Sequence, residues 1–152
     1  MGEKTVMAAG TFDLIHLGHL HYLQEAKKLG DQLVVVVACD ETVREKKHEP
    51  LMNEKTRAEL IEALKPVDEV VIGVEGDPFE TVEKINPDVI ALGYDQWHQE
   101  KRIKDELKNR GLKSEVVRLE HYNHDLDGTR KIIRKIIDWH AMKKELEQVE
   151  GS

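Results

Sequence analysis

Residues 8–23 read AAGTFDLIHLGHLHYL, and three histidines (His16, His19 and His21) fall within six positions, just behind a glycine, a threonine and an aspartate. Imidazoles at this density suit metal ligation, proton transfer or contact with phosphate oxygens. A helical metal pair places its histidines four apart, whereas these are three and two apart. No cysteine or well-placed glutamate completes a ligand set, so no metal-ligating residue is assigned. A phosphate site has its own support. Gly10 allows a sharp turn or close backbone approach, Thr11 offers a hydroxyl, and His19 falls near the start of a helix, where free N–H groups and the dipole attract anions. A helix start that merely happens to carry histidines stays open beside it.

The elements that would position these residues alternate. Runs rich in β-branched residues at 5–9, 33–39, 69–73, 88–92 and 114–119 read as strands. The 33–39 run, LVVVVAC, is apolar throughout, which suits a parallel strand covered on both faces. Between the strands lie helical patterns: 19–30, stopped by Gly30; a segment N-capped by Asn53; one opened by Asp77-Pro78; and one from His98 to Arg110. A last helix starts near Gly128 with Ile132, Ile133, Ile136 and Ile137 as its apolar stripe, and its tail, KKELEQVEGS (143–152), is polar and expected to fray. Five strands alternating with helices predict an α/β fold, a single-domain doubly wound parallel sheet. Ligands bind such sheets beyond the carboxyl ends of the strands. That rule selects the residues around Gly10–Asp13, Asp40–Lys47, Gly73–Glu75, Gly93–Gln96 and Glu120–Asp125. The Asp40–Lys47 stretch looks like a polar loop without apolar anchors, able to move as a lid.

The bulk numbers narrow the function. The chain has 152 residues, a formal charge of −7 and 35% charged residues, which fits one soluble domain and no nucleic-acid partner. No apolar run reaches membrane-spanning length, the N-terminus lacks a signal-peptide pattern, and Cys39 is the sole cysteine. The expectation is a cytoplasmic protein without a membrane partner or internal disulfide.

Residues 10–19 resemble the signature of the cytidylyltransferase-like nucleotidyltransferases, a GTFD turn followed by HxGH: here Gly10-Thr11-Phe12-Asp13 and His16-Leu17-Gly18-His19. The resemblance implies transfer of a nucleotidyl group from a nucleoside triphosphate to a phosphate monoester, with a nucleotidyltransferase domain over residues 1–140 and 141–152 extending the last helix. It gives catalytic roles to His16, His19 and Lys47, with Lys46 the neighbouring alternative. It implies nucleotide contacts from Thr11, Phe12, His16, Leu17, Gly18, His19 and Asp95, and leaves His21 as an exposed bystander. Asp13, Arg57, Trp97 and Thr129 are possible acceptor or phosphate contacts. Trp97 suits stacking on a flat ring and loop packing equally.

Within that family the chain resembles the archaeal FAD synthases through ACDETV (38–43), EALKPVDE (62–69) and VVRLEHY (116–122). This implies transfer of AMP from ATP to FMN, a divalent cation such as Mg²⁺ accompanying ATP, Tyr122 beside the adenine nucleotide, and a homodimer. Members of that group can carry cysteines in the C-terminal region, and this chain has none there. CTP-dependent transfer to glycerol 3-phosphate, or to another small phosphate ester, is the enzymatic alternative. Two departures weaken it: Lys65 stands where those enzymes carry a second arginine, and RLEHYNHDLDGTRKI contains no RTxGIST-like segment. A nucleotide-binding regulatory module is the non-enzymatic alternative.

Overall fold

Runs of valine, isoleucine and alanine buried on both faces set the sheet. The computed structural model describes residues 2–120 and 128–151. Its strands are β1 (Thr5–Gly10), β2 (Gln32–Val37), β3 (Glu69–Ile72), β4 (Val89–Leu92) and β5 (Glu115–Arg118). All neighbours pair in parallel, in the order β3-β2-β1-β4-β5. The helices are α1 (Leu17–Lys27), α2 (Asp40–Lys46), α3 (Glu54–Glu62), α4 (Phe79–Ile85), α5 (Trp97–Asn109) and α6 (Thr129–Glu150), with a 3₁₀ turn at Tyr94–Gln96.

Side chains alternate between two cores, as a strand's period of two requires. Val6, Ala8, Val35, Val37 and Ala91 pack on one face with Leu23 and Ala26 of α1 and Ile61 of α3. Met7, Ile90 and Leu92 pack on the other with Phe79 and Val82 of α4 and Leu107 of α5. Helices cover both faces, so the sheet is doubly wound, as the alternating pattern implies. The crossover direction reverses at β1, and the switch point lies between β1 and β4.

Three elements depart from the sequence reading. β2 stops at Val37 because Cys39 becomes the N-cap of α2. The stretch expected to be a loop without apolar anchors is therefore a helix, and Val43 is its buried anchor. One apolar residue in seven gives no period to read. Second, α1 begins at Leu17, with His16 as its N-cap, and ends at Lys27. Third, α6 stays helical through Glu150, so the tail expected to fray does not. None of its residues is buried, and its apolar stripe faces solvent. Among the described residues no helix is long and apolar enough to cross a membrane.

Candidate active site

The turn after β1 is held from three sides. Two non-glycine residues in it adopt left-handed backbone, Phe12 at φ 54° and Leu14 at φ 73°. Each costs roughly 1–2 kcal/mol, and such strain persists only where the surroundings over-determine it. The buried Phe12 ring folds back over Gly10, where a Cβ would stand 2.9 Å from the ring Cζ. Gly10 is thus required by its own neighbour's ring. The Asp13 carboxylate accepts the backbone N–H groups of Leu51 (2.7 Å) and Met52 (3.0 Å). The third hold is Arg57, which has no solvent exposure. Its Nη1 donates to the carbonyls of Thr11 (2.8 Å) and Ala38 (2.7 Å), its Nε to that of Met52 (2.9 Å), and its Nη2 to Asp40 Oδ1 (2.8 Å).

Arg57 and Asp13, read as possible acceptor or phosphate contacts, are buried here: Asp13 accepts two backbone N–H groups, and Arg57 donates to three carbonyls and to Asp40. Phe12, read as a nucleotide contact, points its side chain into the core, so only its backbone can meet a ligand.

The histidines are not equivalent. His16 Nδ1 accepts the Gly18 N–H at 3.0 Å. In the neutral ring this leaves the proton on Nε2. His19 stacks on His16, with ring centroids 3.8 Å apart and planes 23° apart, and meets the Phe12 ring edge-on at 5.2 Å. His19 Nδ1 is buried without a hydrogen-bond partner among the described residues. Burial first, then His16 and Lys47, lower the His19 pKa to about 3. His19 is therefore neutral at physiological pH and acts as a hydrogen-bonding group, not as a standing charge. His21 lies on α1 outside this stack, near Glu25.

Lys47 caps the end of α2 and donates to Thr11 Oγ1 at 3.3 Å. The structure thereby brings Thr11, Lys47, His16 and His19 to the carboxyl end of β1, where Leu17 opens α1 and its N–H has no intrahelical acceptor. Thr11 and Lys47 also line a cavity of about 390 Å³ over the strand ends, walled by Val36, Ala38, Phe79, Val82, Ile90 and Ile103, with Lys46 and Arg102 among its lining cations. Asp95 stands exposed on the 3₁₀ turn after β4, on the far side of the switch point. That turn is braced by Gly93 N–H donating to Gln96 Oε1 at 2.9 Å.

Thr129 opens α6, and no hydrogen bond or ion pair joins it to the other candidates among the described residues. Trp97 opens α5. Tyr122 lies outside the described residues.

One residue the sequence reading missed is Tyr22. Its hydroxyl donates to the Ala91 carbonyl at 2.6 Å and accepts the Ala9 N–H at 3.3 Å. The β1–β4 ladder runs only to Ala8 and Ala91, so the phenol joins the two strands where they part. Burial pushes its pKa up, which keeps the proton on the oxygen. Only its place beside Leu23 on the buried face of α1 hinted at this.

The sequence pattern of the cytidylyltransferase-like family matches residues 7–148. The chain belongs to this family. It is 56% identical over 134 residues to the FAD synthase of Aciduliprofundum boonei, covering 88% of this chain and 90% of that one. It is 55% identical to the FAD synthase of Methanothermus fervidus, covering 86% and 92%. Among solved structures it is similar to a lipopolysaccharide core biosynthesis protein from Thermoplasma volcanium, at 47% identity and a TM-score of 0.78, covering 80% of this chain and 100% of that one. The family signature falls on the strained turn, where its glycine, aspartate and first histidine serve the backbone as well as any ligand.

Two outcomes follow from this geometry. Arg57→Met should destabilise the fold by about 3–5 kcal/mol in urea unfolding, because Asp40 and three carbonyls lose their partner inside the protein. The His19 shift predicts a pH effect. The folded state binds fewer protons than the unfolded one between pH 6.5 and about 3, so neutral His19 contributes stability that is complete above pH 6.5 and lost as pH falls towards 3. Unfolding of the wild type and His19→Gln across this range should show their stability difference shift against the wild type on acidification; a constant difference contradicts the shift.

Proposed function

We propose that this chain is an FAD synthase: it transfers AMP from ATP to FMN and releases pyrophosphate. The observation that carries the reading is the juxtaposition of a stacked histidine pair, whose buried member His19 is held neutral, and Lys47 with a largely apolar cavity at the same strand ends. A flavin ring needs an apolar slot beside the reacting phosphate, whereas glycerol 3-phosphate needs cation density and little else. The likeness to archaeal FAD synthases supports the same acceptor.

In this mechanism a phosphate oxygen of FMN attacks the α-phosphorus of ATP in line. The new P–O bond forms as the bond from the α-phosphorus to the bridging oxygen breaks, and that oxygen leaves with pyrophosphate. His16, through Nε2–H, and His19 donate hydrogen bonds to the α-phosphate oxygens as charge spreads over them. Lys47 and the free N–H groups at the start of α1 take the charge of the β- and γ-phosphates. Asp95 accepts from the ribose hydroxyls, and Tyr122 lies against the adenine, as the family resemblance implies. The protein adds little covalent chemistry; it positions and stabilises charge.

A divalent cation such as Mg²⁺ fits as a companion of ATP, supplying charge neutralisation on the phosphates. The residues at this site are mostly donors and cations, and among the described residues no cluster of three or more metal-ligating side chains occurs. Residues 1–140 form the nucleotidyltransferase domain in this reading, with 141–152 extending α6. A lone buried thiol, Cys39, supports a cytoplasmic location, and the family resemblance supports a homodimer.

Pyrophosphate release, measured with ATP or CTP against FMN, glycerol 3-phosphate and sugar phosphates, tests the reading. Release is expected with ATP and FMN. Release confined to CTP and a small phosphate ester would replace FMN as the acceptor, and tight ATP binding without release for any acceptor would identify a regulatory module.

A further inference from the structure

α6 carries an apolar seam whose central side chains are exposed among the described residues, with Ile132 half-buried at its start. Trp139, Met142 and Leu146 are 66%, 61% and 56% exposed. With Ile132 and Val149 they recur at alternating steps of seven, three, four and three residues, the spacing of a coiled-coil seam. Ile136, 53% exposed, flanks it. Soluble chains rarely leave so much contiguous apolar surface in water, and from Ile132 to Val149 the helix presents it along roughly 26 Å.

Charge selects the occupant. Arg130, Lys131, Arg134 and Lys135 make the first two turns cationic, and Asp138 is the sole acid ahead of Trp139. Lys143 and Lys144 are followed by Glu145, Glu147 and Glu150, two cations against three acids, so the last two turns carry a net charge of −1 where the first two are cationic. A second α6 laid parallel would set the cationic half against its copy. Laid antiparallel, it sets the cationic half against the net-acidic one. The seam matches the same arrangement: when residue numbers on opposed positions run in reverse, Ile132 faces Val149 and Trp139 faces Met142. The one polar seam position, Lys135, then faces Leu146, beside the net-acidic turns of the other helix.

We propose that two copies of this chain associate through antiparallel pairing of their α6 helices along Ile132, Trp139, Met142, Leu146 and Val149. This names the surface and orientation of the homodimer in the reading above. It rests on that part of the reading alone and is independent of the reaction, so pyrophosphate release does not decide it.

Sedimentation equilibrium of the full chain at micromolar concentration is the test. The wild type is expected at twice its 17.5 kDa chain mass. The triple variant Trp139→Glu/Met142→Glu/Leu146→Glu is expected to be monomeric with the wild-type pattern of methyl NMR shifts from the buried core, and Leu60→Glu, on exposed surface of α3, to remain dimeric. Orientation is read by mild oxidation. An equimolar mixture of Lys135→Cys and Leu146→Cys chains should give the mixed disulfide. Leu146→Cys alone should not link to itself, because the antiparallel pairing puts those positions roughly 16 Å apart. A monomeric wild type overturns self-association, whether or not it sediments with anionic phospholipid vesicles. A triple variant that stays dimeric overturns the surface, and efficient self-linking of Leu146→Cys overturns the orientation.

Discussion

A guanidinium sealed from solvent holds the site together. Arg57 reaches the carbonyls of Thr11 and Ala38, each just past the end of its strand, where the parallel ladder between β1 and β2 has run out. Burying this charge is costly by itself. Asp40 and three carbonyls offset the cost, and in doing so fix four segments relative to one another: the turn after β1, the end of β2, the start of α2 and the chain entering α3. Thr11 and Lys47 meet only because both ends of this arrangement are fixed. Asp13 reinforces it from the other side of the turn, on the same segment that Arg57 grips at Met52.

The electrostatics of the site run against those of the whole chain. The protein carries −7, yet Lys46, Lys47 and Arg102 gather around one cavity beside the open first turn of α1. The cost shows in His19, whose proton affinity falls partly because His16 and Lys47 are close. In the proposed reaction a triphosphate beside Lys47 would offset that positive field and meet an imidazole already oriented by its stack on His16. Fixed donors beside a lysine suit a reaction in which negative charge moves from the α-phosphate to a departing pyrophosphate.

Much of this was legible in the sequence. The five strands, their all-parallel pairing and the location of the site at the strand ends came from β-branched runs and their alternation with helices. The histidine turn came from composition and family resemblance together. What escaped was whatever depends on tertiary contact. Arg57 sits in a charged helix, and nothing in EKTRAELIE tells that one of its charged side chains is inside. The helical character of Asp40–Lys46 rests on a single buried valine. The left-handed backbone at Phe12 and Leu14 has no local signature, because neither residue type favours it. Tyr22 reads as one more half-buried helix residue until β1 and β4 are seen to part beside it.

The central claim is that the histidine pair stabilises charge on the phosphate in flight and does not merely hold ATP. His16→Asn tests it cleanly, since asparagine keeps the cap acceptor for the start of α1 while removing the imidazole and its outward donor. Pre-steady-state turnover with ATP and FMN, set beside ATP affinity from calorimetry, separates the two roles. The account predicts turnover reduced by about 100-fold or more with ATP affinity changed by less than about five-fold. Turnover at the wild-type rate, or a loss wholly explained by weakened ATP binding, would contradict it.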